Sequence, residues 1–162
     1  MVKLPNQVKN MVEDYLKKSG YDFKERDEEG FDFIISAPQK GNKPPLTIQK
    51  LKDKDTIQIL TGYSFTDEIA IKGAISSELQ YLIKKDLLLF GLDYDFRSVS
   101  KEHYTMRIYE TIRTDDLDEK SFLESEKKVR LGQKLIQLEL SRLKVVPAKE
   151  APKPEAGEAG IG

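Results

Sequence analysis

Apolar residues recur along this chain with two different periods, and the switches between them mark out its elements. Val8, Met11, Val12, Tyr15 and Leu16 stand at i, i+3, i+4, i+7 and i+8, one face of a helix. Pro5 or Asn6 opens that helix and Gly20, after Lys17-Lys18, closes it, so the spacing predicts a helix over 6–19. Period two follows. Tyr21 and Phe23 alternate with Asp22 and Lys24, an acidic turn runs from Asp27 to Gly30, and Phe31, Phe33, Ile35 and Ala37 share a strand face. Pro38 ends that strand and residues 39–45 read as loop. Leu46 and Ile48 begin a short strand, and Ile57, Ile59, Thr61 and Tyr63 line the next, after a turn at Lys52–Asp55. Three or four strands this tightly spaced, with polar turns, predict an antiparallel meander rather than βαβ units.

Helical spacing then returns. Thr66 before Asp67-Glu68 is placed as an N-cap, and Ile71, Ile75, Leu79, Leu82 and Leu89 carry a stripe towards the stop at Gly91. Gly73 inside it costs about 1 kcal/mol relative to alanine, which leaves Ser76 as an alternative start. Leu92, Tyr94 and Phe96 alternate with charged residues, Ser98–His103 reads as a turn, and Tyr104, Met106, Ile108, Glu110 and Ile112 line a longer strand. A last helix is predicted over 118–144 with Asp118 as its cap. It carries two stripes: Phe122, Val129, Ile136, Leu140 and Leu143, and separately Leu131, Leu135 and Leu138. The first docks the helix on a sheet; the second must meet another helix of this chain, a second copy or a partner.

The expected fold class is therefore α+β: helix, three to four antiparallel strands, helix, two strands, helix, with the helices packed on the sheet. One domain is expected over residues 1–146. Residues 147–162 change composition to Pro, Ala, Glu and Gly, with Ile161 the only large apolar side chain. Such a tail cannot offset about 1–2 kcal/mol of backbone entropy per residue, and disorder is the expectation there.

Lys plus Arg number 27 and Asp plus Glu 28, a formal net charge of -1. That balance speaks against a dedicated nucleic-acid binder, which concentrates positive charge. Absence of cysteine removes disulfides, thiolate catalysis, zinc fingers and iron–sulfur clusters together. Met1–Pro5 lacks the apolar run of a signal peptide and no stretch approaches a membrane span, so a cytoplasmic protein is expected.

Element order resembles the type III secretion chaperone-like, or YbjN-like, fold. A closer resemblance lies in Tyr104–Arg130, with its strand, acidic turn ending at Leu117, and helix carrying Phe122 and Val129-Arg130. With the Leu88–Phe96 helix-to-strand junction, it is similar to the uncharacterised, largely archaeal domain-of-unknown-function family 2299. That resemblance implies a layout over residues 6–143 and no catalytic residues.

No candidate site outweighs its plain structural alternative. His103 is the only histidine, placed in a turn with no partner for acid–base work. Asp93 and Asp95 share a strand face with Arg97; a divalent cation is conceivable there, against a solvated face balanced by Arg97. Asp115, Asp116 and Asp118 lack the EF-hand loop pattern and read as helix-start carboxylates. Gly157–Gly162 has phosphate-loop composition without strand or helix around it. Lys84-Lys85 and Lys127-Lys128 with Arg130 sit beside acids, as in i,i+4 pairing. Tyr104 and Tyr109 near Arg107 and Arg113 are placed to stack bases or simply to pack. No metal or cofactor is implied. The expected role is a non-enzymatic binding or chaperone-like protein acting through protein–protein contacts, with an unknown protein partner and self-association as a homodimer through Leu131, Leu135 and Leu138. The alternatives are a nucleic-acid-associated factor, or a ligand binder or enzyme using Asp93, Asp95, Arg97 or Arg113.

Overall fold

A computed structural model describes residues 3–41, 43–66, 77–100 and 103–142. Helix α1 (Pro5–Lys18) leads to strands β1 (Lys24–Arg26), β2 (Phe31–Ala37), β3 (Leu46–Leu51) and β4 (Thr56–Thr66). Helix α2 (Ser77–Phe90), strands β5 (Asp93–Ser100) and β6 (His103–Arg113), a 3-10 turn (Thr114–Asp116) and helix α3 (Glu119–Arg142) complete it. The strands form one antiparallel sheet in the order β1-β2-β3-β4-β6-β5. The expected fold class, helices on an antiparallel sheet in that element order, is what the structure has.

Two helices end by the same device. Gly20 has φ 82° and Gly91 φ 69°, the left-handed region that glycine enters without a Cβ clash. Beyond each glycine the chain folds back: the Tyr21 N–H donates to Leu16 O and the Leu92 N–H to Leu87 O, both at 3.0 Å. These caps satisfy end-of-helix carbonyls and aim the next residue, Tyr21 or Leu92, into the core.

The sheet's buried face alternates as its sequence does. Phe33, Ile35 and Ala37 of β2, Leu46 and Ile48 of β3, Ile57 and Ile59 of β4, and Met106, Ile108 and Ile112 of β6 all join one cluster. Helix α3 lies over β4 and β6, with α1 and α2 beside it. Its Phe122, Val129 and Ile136 are each 0% exposed, and the Phe122 ring meets that of Tyr15 with centroids 5.5 Å apart. Gly132 brings α3 against α2. A Cβ there would stand 2.6 Å from Leu92 Cδ1 and 3.4 Å from Leu87 Cδ2.

Several boundaries differ from the sequence reading. The strand expected from Tyr21 shortens to Lys24–Arg26, because Tyr21 is used as the buried residue after the α1 cap. Four strands precede α2, and β3 extends to Leu51. Thr66, expected to cap a helix, is the last residue of β4, paired with His103. Residues 67–76, with Gly73, lie outside the described residues; the helix that is described starts at Ser77, close to the alternative start. Its core face is Ile83 and Leu87, 0% and 1% exposed, whereas Leu89 of the expected stripe is 77% exposed. With the helix starting at Ser77, the inward pair is an i,i+4 pair one register away from the predicted stripe. The turn expected at Ser98–His103 contracts, since β5 reaches Ser100 and β6 begins at His103. The tail from 147 and Leu143 lie outside the described residues.

Truncating Phe122 to alanine should lower stability by about 3–5 kcal/mol, the usual cost of emptying a large core site. Gly132→Val should cost about 1–3 kcal/mol despite leaving a helical backbone, because its methyls enter occupied space. Urea unfolding followed by circular dichroism reads both; a Gly132→Val protein as stable as the parent would refute the close-approach account.

Candidate functional site

Helix α3 is held at its start by reciprocal capping. The Ser121 N–H donates to Asp118 Oδ1 at 2.7 Å, while the Asp118 N–H donates to Ser121 Oγ at 3.0 Å. The Ser121 backbone N–H, and after it the Ser121 side chain, hold the Asp118 carboxyl below its ordinary pKa. Asp118 is thus a cap. Asp115 and Asp116 are exposed in the preceding turn, where Lys3 Nζ donates to the Thr114 and Asp115 carbonyls at 3.0 and 3.1 Å.

Two turns into the helix, Glu126 is 5% exposed, a position that a carboxylate occupies only when partnered. Tyr21 OH donates to its Oε1 at 2.7 Å, and Arg130 Nη2 stands 3.6 Å from its Oε2. Lys43 completes the group: its Nζ lies 4.8 Å from the Tyr21 ring centroid and donates to the Ser19 carbonyl. Burial, and then the hydrogen bond and charge of Glu126, push the Tyr21 phenol well above its ordinary pKa.

Arg130 also lines a cleft of about 420 Å³ between α3 and the β2–β3 loop. The helix contributes Arg130, Gln133, Lys134 and Gln137, at i, i+3, i+4 and i+7. The loop contributes Gln39, Gly41, Pro44 and Pro45. No acidic side chain is among them. Gln133 is tied by its Nε2 to the Gly62 carbonyl at 3.4 Å, and Arg130 Nε is enclosed with no acceptor. A second, smaller hollow of about 280 Å³ holds Glu110, which accepts from Ser125 Oγ at 2.5 Å and Lys128 Nζ at 3.2 Å.

The leucine stripe lies beside the cleft face on the same helix. Leu131 is 39% and Leu138 66% exposed, and Leu135 is half-buried. Helix α2, packed alongside, exposes Tyr81, Leu88 and Leu89 at 66%, 72% and 77%.

The other sequence candidates do not gather. Asp95 is bound by Arg107 across the β5–β6 pair, Arg107 Nε donating to Oδ1 at 2.6 Å and Nη2 to Oδ2. Arg107, opposite it in register, is thus a counter-charge of Asp95; the side chain of the anticipated Arg97 lies outside the described residues. Asp93 is exposed and lines neither cleft. Among the described residues no three His, Asp or Glu side chains gather as a metal site. Lys128 pairs with Glu110 of β6 instead of an i,i+4 acid, while Arg130 and Glu126 are such a pair. Lys84, Lys85 and Lys127 are exposed, Arg113 is exposed beside the smaller hollow, and Tyr109 is partly buried. His103 opens β6 instead of sitting in a turn. The side chains of His103 and Tyr104, and all of Gly157–Gly162, lie outside the described residues. Sequence reasoning missed Tyr21, Glu126, Gln133, Lys134 and Gln137. The signal available was a run of long polar, acid-free side chains at helical spacing next to an apolar one.

A family model described as "Uncharacterized conserved protein (DUF2299)" matches residues 8–139. The chain belongs to that family. No curated protein matches it. Among solved structures, an uncharacterised protein of Methanothermobacter thermautotrophicus is 18% identical, with a TM-score of 0.66 over 84% of this chain and 98% of that one. The ExsC–ExsE complex contains a chain 14% identical, TM-score 0.60, covering 88% and 97%. YbjN from E. coli is 13% identical, TM-score 0.52, covering 91% and 98%. These likenesses show that this DUF2299 member shares the fold of those three chains. Among its described residues no helix is long and apolar enough to cross a membrane.

Tyr21→Phe should cost about 1.5–3 kcal/mol, as for a buried bond to a charged acceptor. Because the folded phenol titrates above its ordinary value of 10.0, its contribution is complete below pH 10 and is lost as pH climbs past it. The stability gap between parent and Tyr21→Phe should therefore narrow above pH 10 in denaturant titrations. A gap that stays constant there would remove the assigned linkage.

Proposed function

We propose that this chain is a non-enzymatic, chaperone-like binding domain acting through protein–protein contacts, with the leucine stripe of α3 as its docking face and a second copy as occupant. The observation that carries this is the exposure of Leu131 and Leu138 on a helix whose opposite face fills the core, although α2 already lies alongside. Isolated surface leucines are ordinary; apolar side chains repeated on two adjoining helices are a feature of association surfaces. A twofold pairing would present the same side chains from both copies, so each leucine covered counts twice. Full burial of a leucine stabilises by about 1.5–3 kcal/mol, and these start partly covered, so several must act together. A chain of the same fold in the ExsC–ExsE complex supports the protein-partner reading.

Light scattering coupled to size exclusion is expected to give twice the chain mass at high micromolar concentration. Leu131→Glu combined with Leu138→Glu should return a monomer whose unfolding free energy stays within about 1 kcal/mol of the parent, since neither residue is in the core. A monomeric parent at that concentration would end the self-association reading.

A further inference from the structure

The cleft between α3 and the β2–β3 loop has the chemistry of a receptor for negative charge. We infer that it binds an acidic peptide segment, with a glutamate or aspartate carboxylate held between Arg130 and Lys134. Four observations converge on it.

First, Arg130 and Lys134 are one helical turn apart, so both cations overlook the same volume, and among the described residues no acid lines it. Glu126 lies behind Arg130 but is shared with Tyr21, and its 3.6 Å approach to Arg130 Nη2 is well beyond a charge-assisted bond of about 2.7–2.9 Å. Second, Nε of Arg130 is closed off from the cleft, but the terminal nitrogens of its guanidinium meet Glu126 only at 3.6 Å and so retain unused donors. A carboxylate matches that planar fork with two parallel bonds, which is the geometry arginine recognises best. Third, Gln39 and Gln137 line the same cleft with carboxamides, each both donor and acceptor, while Gln133 is held to the Gly62 carbonyl. Carboxamides complement peptide groups, whose N–H and C=O alternate, and a bare inorganic anion would leave their acceptors idle. Fourth, about 420 Å³ exceeds what one small anion fills and falls within the range of sites that take several linked groups.

This deepens the protein-binding reading by giving the chemistry of the partner segment, and it rests on that reading. The two can fail separately, because Leu131 and Leu138 are not part of the cleft lining. Light scattering reports the stripe, whereas the experiment below reports the cleft.

The full chain, labelled with ¹⁵N, is titrated with acetyl-Glu-Glu-amide, with acetyl-Gln-Gln-amide and with inorganic phosphate, following side-chain signals of Arg130, Gln133 and Gln137. Saturable shifts with the acidic peptide, absent with the glutamine peptide, support the assignment. Arg130→Gln should abolish them. Since that change also removes a neighbour of buried Glu126, Lys134→Gln serves as the second variant: Lys134 is exposed and its loss should leave the fold intact. It should weaken the acidic peptide on the order of tenfold, about 1.4 kcal/mol. The inference is overturned if the acidic peptide gives no saturable shift, if the shifts persist in Lys134→Gln at unchanged affinity, or if phosphate saturates the site while the peptide does not.

Discussion

Everything in this molecule leans on the seating of one helix across the sheet. Phe122, Val129 and Ile136 are spaced by seven, so on a helix of 3.6 residues per turn they drift by only about 20° per step and form one seam. That seam lies on β4 and β6, the two longest strands, paired from Thr56–Arg113 to Thr66–His103. With α3 fixed there, α1 closes one side through the Tyr15–Phe122 ring contact and α2 closes the other at Gly132. Both the leucine stripe and the acid-free cleft are simply the sectors of α3 that remain when the seam is filled.

Capping and burial cooperate in setting that seat. Asp118 and Ser121 fix where α3 begins, and so fix the phase of every later residue. Glu126 then falls inside, where Tyr21 meets it; Tyr21 is in place because Gly20 turned the chain back at the end of α1. A glycine at one end of the chain and a capping box near the other thus bring together a phenol and a carboxylate 105 residues apart. A buried carboxylate of this kind specifies geometry more than it adds stability, since its desolvation offsets much of what its partners return.

Much of the architecture could be read from periodicity, and the reasons for success and failure are physical. The bounds of strand β2 were legible because Phe33, Ile35 and Ala37 alternate on one face and proline stops it; Phe31, expected on that face, stands across a register shift from Phe33 and outside the core cluster. The ends of α1 and α2 were legible because glycine marks a left-handed cap. The face of α2 was not: Leu82, Ile83, Leu87, Leu88 and Leu89 leave almost every rotation of that helix apolar, and only packing against Gly132 and the sheet selects Ile83 and Leu87. The pairing of Asp95 with Arg107 was likewise hidden, since it depends on the register of two strands and not on neighbours in sequence. The family resemblance read from Tyr104–Arg130 extends over residues 8–139. The cleft went unread because polar side chains have no burial period of their own; its loop half comes from β2–β3, some ninety residues before the helix residues it faces.

Strand β1 has three residues, Lys24-Glu25-Arg26, all charged and none buried, and it forms one rim of the sheet. A rim so short and so ionic offers an incoming strand few backbone bonds and several charges to desolvate. At that side the sheet is closed to extension by other chains, and fibrous stacking has no template there. The opposite rim, β5, runs for eight residues, so this protection belongs to one side of the sheet.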